Sequence, residues 1–118
     1  MNYKEKAQDI YNMLGQGQLL DAFDKYYAEN VVMTEPRGTR TGKAECRAYE
    51  EQFLSNIEAF HNLEVKNIGS DEAAGTTFVQ SIMDVTFKGG QRAQMNQVAV
   101  QQWEGDHIVH EEFYYDNQ

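Results

Sequence analysis

The strongest constraint on the fold is a change of hydrophobic period about halfway along the chain. Up to Phe60 the apolar residues recur every three to four positions, and from Leu63 onward they alternate with polar residues. The first spacing is typical of amphipathic helices and the second of half-buried strands. Helices followed by strands predict an α+β fold, in which the helices pack on one face of an antiparallel sheet.

Three helices are predicted in the first half. The first has an apolar stripe over residues 3–14 and ends at Gly15 and Gly17, and the second has a stripe over residues 19–27 and stops at Asn30. Thr41 or Gly42 is expected to cap the third helix. The apolar stripe of that helix consists of Cys46, Tyr49, Phe53, Ile57 and Phe60.

Five strands are predicted. A β-branched run over residues 31–35, closed by Pro36, indicates a short strand, and residues 37–42 carry turn chemistry. Four further strands begin near residues 63, 77, 91 and 107. The polar turns between them lie at residues 69–71, 88–90 and 104–106. Short turns of this kind predict an antiparallel meander.

Size and charge limit the class of protein. The 118 residues, 41% of them hydrophobic, suffice for one core, so we expect one domain over residues 1–118. Nineteen acidic against ten basic residues give a formal charge of −9, which disfavours nucleic acid and membrane surfaces as partners. The polar N-terminus and the lack of a long apolar run favour a cytoplasmic protein.

The sequence gives little support for a metal site. Cys46 is the only cysteine, and a buried, inert thiol is expected there. His110 and Glu111 are neighbours on a predicted strand and therefore point to opposite faces. We expect neither a metal nor an organic cofactor.

Several local strings resemble the NTF2-like superfamily and, within it, its SnoaL-like and ketosteroid-isomerase-like branch. They are KYYAEN at 25–30, VMTEP at 32–36, TGK at 41–43, WEGD at 103–106 and FYYD at 113–116. The resemblance covers nearly the whole chain and implies a cone-shaped sheet, plugged by helices, that encloses a cavity. Members include isomerases, cyclases, dehydratases, hydrolases and non-catalytic binding modules, so the shared fold does not settle the activity.

The resemblance implies a catalytic role for two residues. Glu35 matches by position the carboxylate base of the isomerase pattern, and in an apolar cavity desolvation would make it a competent base for protons next to a carbonyl. The alternative is an ordinary exposed carboxylate at a strand end. Tyr11 matches the phenol donor that steadies a developing oxyanion, and the alternative is a tyrosine of the core.

Ala99 is a departure from the isomerase pattern, which needs a protonated acid there. Alanine cannot donate a hydrogen bond, which argues against steroid isomerisation. Met95, Gln97, Ala99, Gln101 and Trp103 share a strand face that by family analogy points inward. Gln97 or Gln101 would then supply an amide donor, unless both are solvated.

Glu111 is the remaining catalytic candidate. The last strand places Val109, Glu111, Phe113 and Tyr115 on one face, which we expect to be the interior, and Ile108, His110, Glu112 and Tyr114 on the other. Glu111 would be a second cavity carboxylate, and SnoaL-like cyclases also use an acidic residue late in the sheet. A solvated charge is the alternative.

The leading hypothesis is a pocket protein for a small apolar or carbonyl-containing molecule, acting as a cofactor-independent isomerase or cyclase with Glu35 as base. The expected ligand-binding residues are Tyr27, Tyr49, Phe53, Gln97, Ala99, Gln101, Trp103, Phe113 and Tyr115. Tyr27 also fits the family's supporting tyrosine, with core packing as its alternative. The rival hypothesis is a non-catalytic ligand-binding or dimerisation module. Its homodimer contact would use the outward residues Asn96, Val98, Val100 and Gln102.

Overall fold

Three helices and a six-stranded sheet form the chain, which confirms the predicted α+β class. The computed structural model describes residues 1–116. The helices are α1 (Tyr3–Gly15), α2 (Leu19–Tyr26) and α3 (Lys43–Ser55). The strands are β1 (Tyr27–Glu35), β2 (Gly38–Thr41), β3 (Ile57–Asp71), β4 (Thr76–Phe87), β5 (Arg92–Glu104) and β6 (His107–Tyr114).

The strand order in the sheet is β2-β1-β6-β5-β4-β3. Strands β3 to β6 form the predicted antiparallel meander. Strand β1 pairs with β6 in parallel, with Met33 opposite Glu111, and β2 pairs antiparallel with β1. The parallel pair brings β1, from the first half of the chain, beside the last strand, which assembles the interior site from both halves.

The core lies between the helices and the inner face of the sheet. Ile10 from α1, Met33 from β1 and Ile108 from β6 are its largest fully buried apolar side chains. Each such side chain contributes about 1.5–3 kcal/mol when it leaves water. Asn2 begins α1 with a capping box, since its side chain accepts from the Glu5 amide and the Glu5 carboxylate accepts from the Asn2 amide. No helix among residues 1–116 is long and apolar enough to cross a membrane.

Two predicted boundaries in the first half are wrong. Helix α2 ends at Tyr26 rather than Asn30, and β1 begins at Tyr27, because Tyr27 pairs with Ile108 of β6. The predicted turn over residues 37–42 contains β2, whose four residues pair with the end of β1. Gly42 caps α3, as one of the two expected alternatives. Strand pairing overrides the local turn and helix preferences at both places, over a long range at Tyr27 and within a hairpin at β2.

Two further boundaries differ around β3. Helix α3 ends at Ser55, so Ile57 and Phe60 belong to β3 rather than to the helix stripe. Residues 69–71, predicted as a turn, are the last residues of β3 and pair with β4. The chain instead turns within residues 72–75, where Gly75 adopts a φ of 64° that favours glycine. Strand β3 is therefore much longer at both ends than its short apolar pattern indicates.

Strand β6 contains an irregularity that changes the predicted facing. Gln102 pairs with His110 and Trp103 pairs with Ile108, so Val109 is left without a partner on β5. An extra residue of this kind reverses the alternation of side chains on one side of it. Ile108 is fully buried although simple alternation placed it on the outer face, and Glu111 is buried as expected.

We expect Ile108→Ala to lower the free energy of unfolding by about 2–5 kcal/mol, because it leaves a cavity where β1, β6 and α2 meet. Urea denaturation followed by circular dichroism measures the change. Gln102→Ala, on the exposed face of β5, is the control and should stay within about 0.5 kcal/mol of the parent. Equal stability of both variants would contradict the assignment of Ile108 to the core.

Candidate functional site

The candidate site is built around Glu111, whose carboxylate lies in the interior on β6 and is 1% exposed. Its Oε1 accepts a hydrogen bond from the Tyr27 hydroxyl at 2.6 Å. Its Oε2 accepts one from the Gln101 amide at 2.8 Å. Both oxygens of an ionised carboxylate are acceptors, so the two donors compensate part of the cost of burying its charge.

A chain of hydrogen bonds fixes the direction in which Gln101 donates. The Trp103 indole Nε1 donates to the Thr77 hydroxyl at 2.9 Å, and that hydroxyl donates to the Gln101 Oε1 at 2.7 Å. The indole can only donate, so the hydroxyl hydrogen is left for Gln101, and the Gln101 amino group must face Glu111. The chain therefore holds Glu111 in place through buried, cooperative contacts.

The pKa of the Glu111 carboxyl lies closer to neutral pH than that of an exposed glutamate. Burial raises the pKa of its carboxyl to about 7, while the hydrogen bonds from Tyr27 and Gln101 oppose the rise. A carboxyl that titrates near 7 can act as a general base or a general acid under ordinary conditions. Buried acids with such shifts are candidates for functional residues.

Tyr11 and Glu50 complete this interior group. Burial, helped by the charges of Glu111 and Glu50, raises the pKa of the Tyr11 phenol, so it stays protonated and able to donate. Burial and the Glu111 charge raise the pKa of Glu50 to about 7, and the Arg40 charge opposes the rise. Tyr11 is thus an electrostatic neighbour of Glu111 and Glu50, and no hydrogen bond joins it to Glu35 within residues 1–116.

Glu50 was not among the residues predicted for the site. It lies in α3 four residues after the buried Cys46 and three before Phe53. That spacing puts it on the same helix face as the apolar stripe. An acid at a stripe position is the signal that could have identified it.

Glu35 lies at the end of β1 in polar surroundings rather than the apolar ones expected. Its carboxylate accepts hydrogen bonds from Tyr49 at 2.8 Å and Tyr115 at 2.9 Å, and pairs with Arg40 at 3.4 Å. The side chain is 10% exposed, so it does not point to bulk solvent. Burial and the hydrogen bond to Glu35 raise the pKa of Tyr115 to about 12.

Arg40 is the cation that pairs with Glu35. Its guanidinium stacks 3.5 Å from the centre of the Tyr49 ring, which adds a cation–π contact. Its Nε is buried and has no hydrogen-bond acceptor among residues 1–116. Glu35, Arg40, Tyr49 and Tyr115 therefore form a second polar group, separate from the hydrogen-bonded chain at Glu111.

An apolar hollow of about 100 Å³ lies next to the interior acids. Its lining is Leu14, Gly17, Leu19, Phe53, Leu54, Ile57, Phe60 and Met83. Leu14 comes three residues after Tyr11 on α1, and Phe53 comes three residues after Glu50 on α3. Residues three apart on a helix are neighbours on one face, so the hollow begins one helical turn from Tyr11 and from Glu50.

The predicted ligand-binding residues divide between several environments. Phe53 lines the hollow, while Tyr27 and Gln101 bind Glu111, and Tyr49 and Tyr115 bind Glu35. The remaining four, grouped by burial, are fully buried Ala99, buried Trp103, and half-buried Gln97 and Phe113. Trp103 packs against Tyr3 and Tyr26 in the core. The structure thus does not gather these residues into one wall around Glu35.

The described residues contain no group of three or more His, Cys, Asp or Glu side chains that is arranged to hold a metal ion. The side chains whose pKa values burial raises most are carboxyl and phenol groups. Those groups are concentrated on the inner face of the sheet and the facing sides of α1 and α3.

A curved sheet that packs on three helices, with acids buried between them, defines an NTF2-like, cystatin-like α+β protein. The chain belongs to the SnoaL-like domain family, whose sequence profile matches residues 1–115. This confirms the family that the local strings indicated. No curated protein sequence matches the chain.

Solved structures with the same fold carry several different names. A Mesorhizobium loti protein, provisionally named a SnoaL-like polyketide cyclase, is 28% identical with a TM-score of 0.83, covering 98% of this chain and 100% of its own. A Bacillus subtilis protein provisionally named an isomerase is 16% identical with a TM-score of 0.83, and the match covers 98% of this chain and 90% of that protein. An NTF2-like protein of unknown function from Burkholderia pseudomallei is 20% identical with a TM-score of 0.82, covering 98% and 92%.

The raised pKa of Glu111 predicts a loss of stability as the pH rises. An unfolded glutamate titrates near 4.5 and folded Glu111 near 7, so the folded state binds this proton more tightly. The contribution is fully present below about pH 4.5 and is lost as the pH rises through about 7, by roughly 3 kcal/mol in all. Urea denaturation at several pH values measures the slope.

Glu111→Gln should flatten this decline between pH 5 and 8, because an amide does not ionise. The amide can still accept from one of the two donors and donate to the Tyr27 oxygen. Glu51→Gln, a surface change on α3 beside Arg47, is the matched control and should keep the slope of the parent. A parent whose stability shows no steeper decline over this range than that of Glu111→Gln would contradict the buried, proton-holding state.

Proposed function

We propose that this protein binds a small hydrophobic carbonyl compound and moves a proton on it without a metal or organic cofactor. The observation that carries the proposal is the buried Glu111 carboxyl, held by two donors in the interior beside Tyr11 and an apolar hollow. Fixed acids that are buried from bulk solvent suit the removal of a weakly acidic C–H proton, because bulk water competes less for the base.

In the proposed step, ionised Glu111 takes a proton from the carbon beside the carbonyl. The C–H bond breaks, an O–H bond forms on Glu111, and the electron pair moves onto the carbonyl oxygen. The Tyr11 phenol, kept protonated by its raised pKa, donates to that oxygen as negative charge develops. Return of the proton to a different carbon completes an isomerisation.

Glu35 is the weaker candidate for the base. Its match to the isomerase pattern supports the role, but two phenols and the Arg40 guanidinium already occupy its oxygens. Glu111 accepts hydrogen bonds from two donors, whereas Glu35 accepts from three. The charge of Glu111 also contributes to the raised pKa of Tyr11. The names carried by structural neighbours, a polyketide cyclase and an isomerase, are compatible with this type of chemistry.

A non-catalytic ligand-binding module is the second candidate function. Ala99 is fully buried and offers no donor at the position where the isomerase pattern has an acid. The hollow, at about 100 Å³, admits only a small apolar group. Both observations suit a protein that binds a small molecule without transforming it.

Turnover of cyclohex-3-enone separates the two functions. Migration of its double bond into conjugation with the carbonyl needs one proton removed and one returned, and the conjugated product absorbs in the ultraviolet. We expect Glu111→Gln to lower the rate by about 10²–10⁴-fold, the range of general acid–base catalysis, and Glu35→Gln to lower it less. Glu51→Gln should match the parent. Binding of the ketone without any turnover would favour the binding module.

We also propose a homodimer formed through the outer face of the sheet. Phe78 pairs with Val100 and Val98 pairs with Tyr114, so the four side chains form one apolar patch across β4, β5 and β6. Phe78, Val98 and Tyr114 are 42%, 36% and 52% exposed. Exposed apolar side chains that are contiguous, rather than scattered, are typical of interaction surfaces.

Size-exclusion chromatography with light scattering tests the dimer at micromolar concentration. We expect a mass near twice the 13.6 kDa of one chain, and we expect Val98→Lys to shift the protein to the monomer because it places a charge in the patch. Gln94→Lys, on the same face but outside the patch, is the control. A parent that is monomeric throughout would overturn the proposed contact.

A further inference from the structure

The three interior carboxyl groups differ in what donates to them. Glu35 accepts from Tyr49, Tyr115 and Arg40, and Glu111 accepts from Tyr27 and Gln101. Glu50 accepts no side-chain hydrogen bond from any residue within 1–116. No side-chain donor of the described residues therefore occupies the lone pairs of either Glu50 oxygen.

The position of Glu50 on α3 places it one helical turn before residues that line the hollow. It is half-buried, four residues after the fully buried Cys46 and three before Phe53, which lines the hollow. Leu54, four residues after Glu50, also lines the hollow. The side chain thus lies on the helix face that looks inward, one turn from the apolar surface where a ligand would sit.

Titratable or charged groups on five elements interact electrostatically with Glu50. They are Tyr11 on α1, Tyr27 and Glu35 on β1, Arg40 on β2, Cys46 and Tyr49 on α3 and Glu111 on β6. The single cation among them, Arg40, is already paired with Glu35. Two further carboxylates, Glu50 and Glu111, therefore lie in the interior without a salt bridge to any cation of residues 1–116.

Two carboxyls in this situation do not ionise independently. The negative charge of one disfavours ionisation of the other, so the pair loses its protons in two steps and holds a single proton over an intermediate pH range. Burial and the Glu111 charge raise the pKa of Glu50 to about 7. Near neutral pH one member is a base and the other is an acid.

We propose that Glu50 is the second catalytic residue of the site, the acid that returns a proton to the substrate after Glu111 has removed one. This inference rests on the proposed function and adds the group that completes it. Glu111 accepts the proton of the carbon beside the carbonyl, and the electron pair moves towards the carbonyl oxygen. The O–H bond of Glu50 then breaks, and a C–H bond forms at the far carbon of the displaced double bond.

The cycle balances without any co-reactant. Substrate and product are isomers, and the pair of carboxyls holds one proton before and after the reaction, first on Glu50 and then on Glu111. Transfer of that proton from Glu111 back to Glu50 restores the starting state. The apolar part of the substrate would occupy the hollow, and its carbonyl oxygen would point towards Tyr11.

The test uses cyclohex-3-enone with the parent and the variants Glu50→Gln, Glu50→Asp, Glu111→Gln and Glu51→Gln. We expect Glu50→Gln to lower kcat by about 10²-fold or more, Glu50→Asp to restore part of it, and Glu51→Gln to match the parent. The parent should show a bell-shaped pH profile, because activity requires one proton in the pair. Glu50→Gln should lose the decline at high pH, since no acid remains to be deprotonated.

A titration of the carboxyl bands by infrared spectroscopy provides a readout that needs no substrate. The parent should show carboxyl groups that titrate in two steps around pH 7, and Glu50→Gln should show one step at lower pH because a neighbouring charge is gone. Circular dichroism and thermal melting establish that each variant is folded. Glu51→Gln should leave both steps in place.

The outcomes separate the two proposals. Parent rate and profile in Glu50→Gln, together with a large loss in Glu111→Gln, would overturn the role of Glu50 and leave the proposed function intact. A parent that does not convert cyclohex-3-enone would count against the proposed function. The infrared titration would then test whether Glu50 and Glu111 share a proton. Independent titration of both acids near 4.5 would overturn the role of Glu50 in either case.

Discussion

The burial of one carboxylate, that of Glu111, is the interaction on which the arrangement of this interior depends. Its partners are set by strand register, since Thr77 pairs directly with Gln101 on β4 and β5, and Gln101 pairs directly with Glu111 on β5 and β6. A shift of one residue in either pair would turn a member of the chain to the outer face. The hydrogen-bonded chain and the sheet register therefore specify each other.

Polar groups in this core have a cost that an apolar core would avoid. Replacing buried charged groups with apolar ones is often neutral or stabilising, so Glu111 and Glu50 are poor candidates for stabilising residues. Arg40 offsets part of the cost near Glu35 by pairing with it and stacking on Tyr49. Acids retained at a cost in stability, beside a hollow, are more consistent with a functional role than with a structural one.

The fold could be predicted well from the sequence, because the spacing of apolar residues within a short segment indicates whether that segment forms a helix or a strand. Simple alternation also placed Gln101 and Glu111 on the inner face. It failed at Ile108, because the unpaired Val109 is a feature of the pairing between two strands and leaves no mark in one of them. Glu50 was missed for another reason, since a stripe defined by apolar residues excludes an acid that occupies a stripe position. The donors of Glu35 lie 5, 14 and 80 residues away in the chain, so its polar surroundings depend on tertiary structure.

The two acids that titrate near neutral pH come from elements that meet only in the folded chain. Glu111 is fixed by the sheet, whereas Glu50 is carried by α3, which is held against the sheet through the fully buried Cys46. Their mutual effect on ionisation therefore depends on how closely α3 packs, and so does the access of a ligand to the hollow beside Phe53. A ligand that seats its apolar part there would fill the gap at the end of α3 and exclude water from both acids. In the proposed reaction, desolvation would then strengthen the coupling between the two acids as one gives up a proton and the other accepts one.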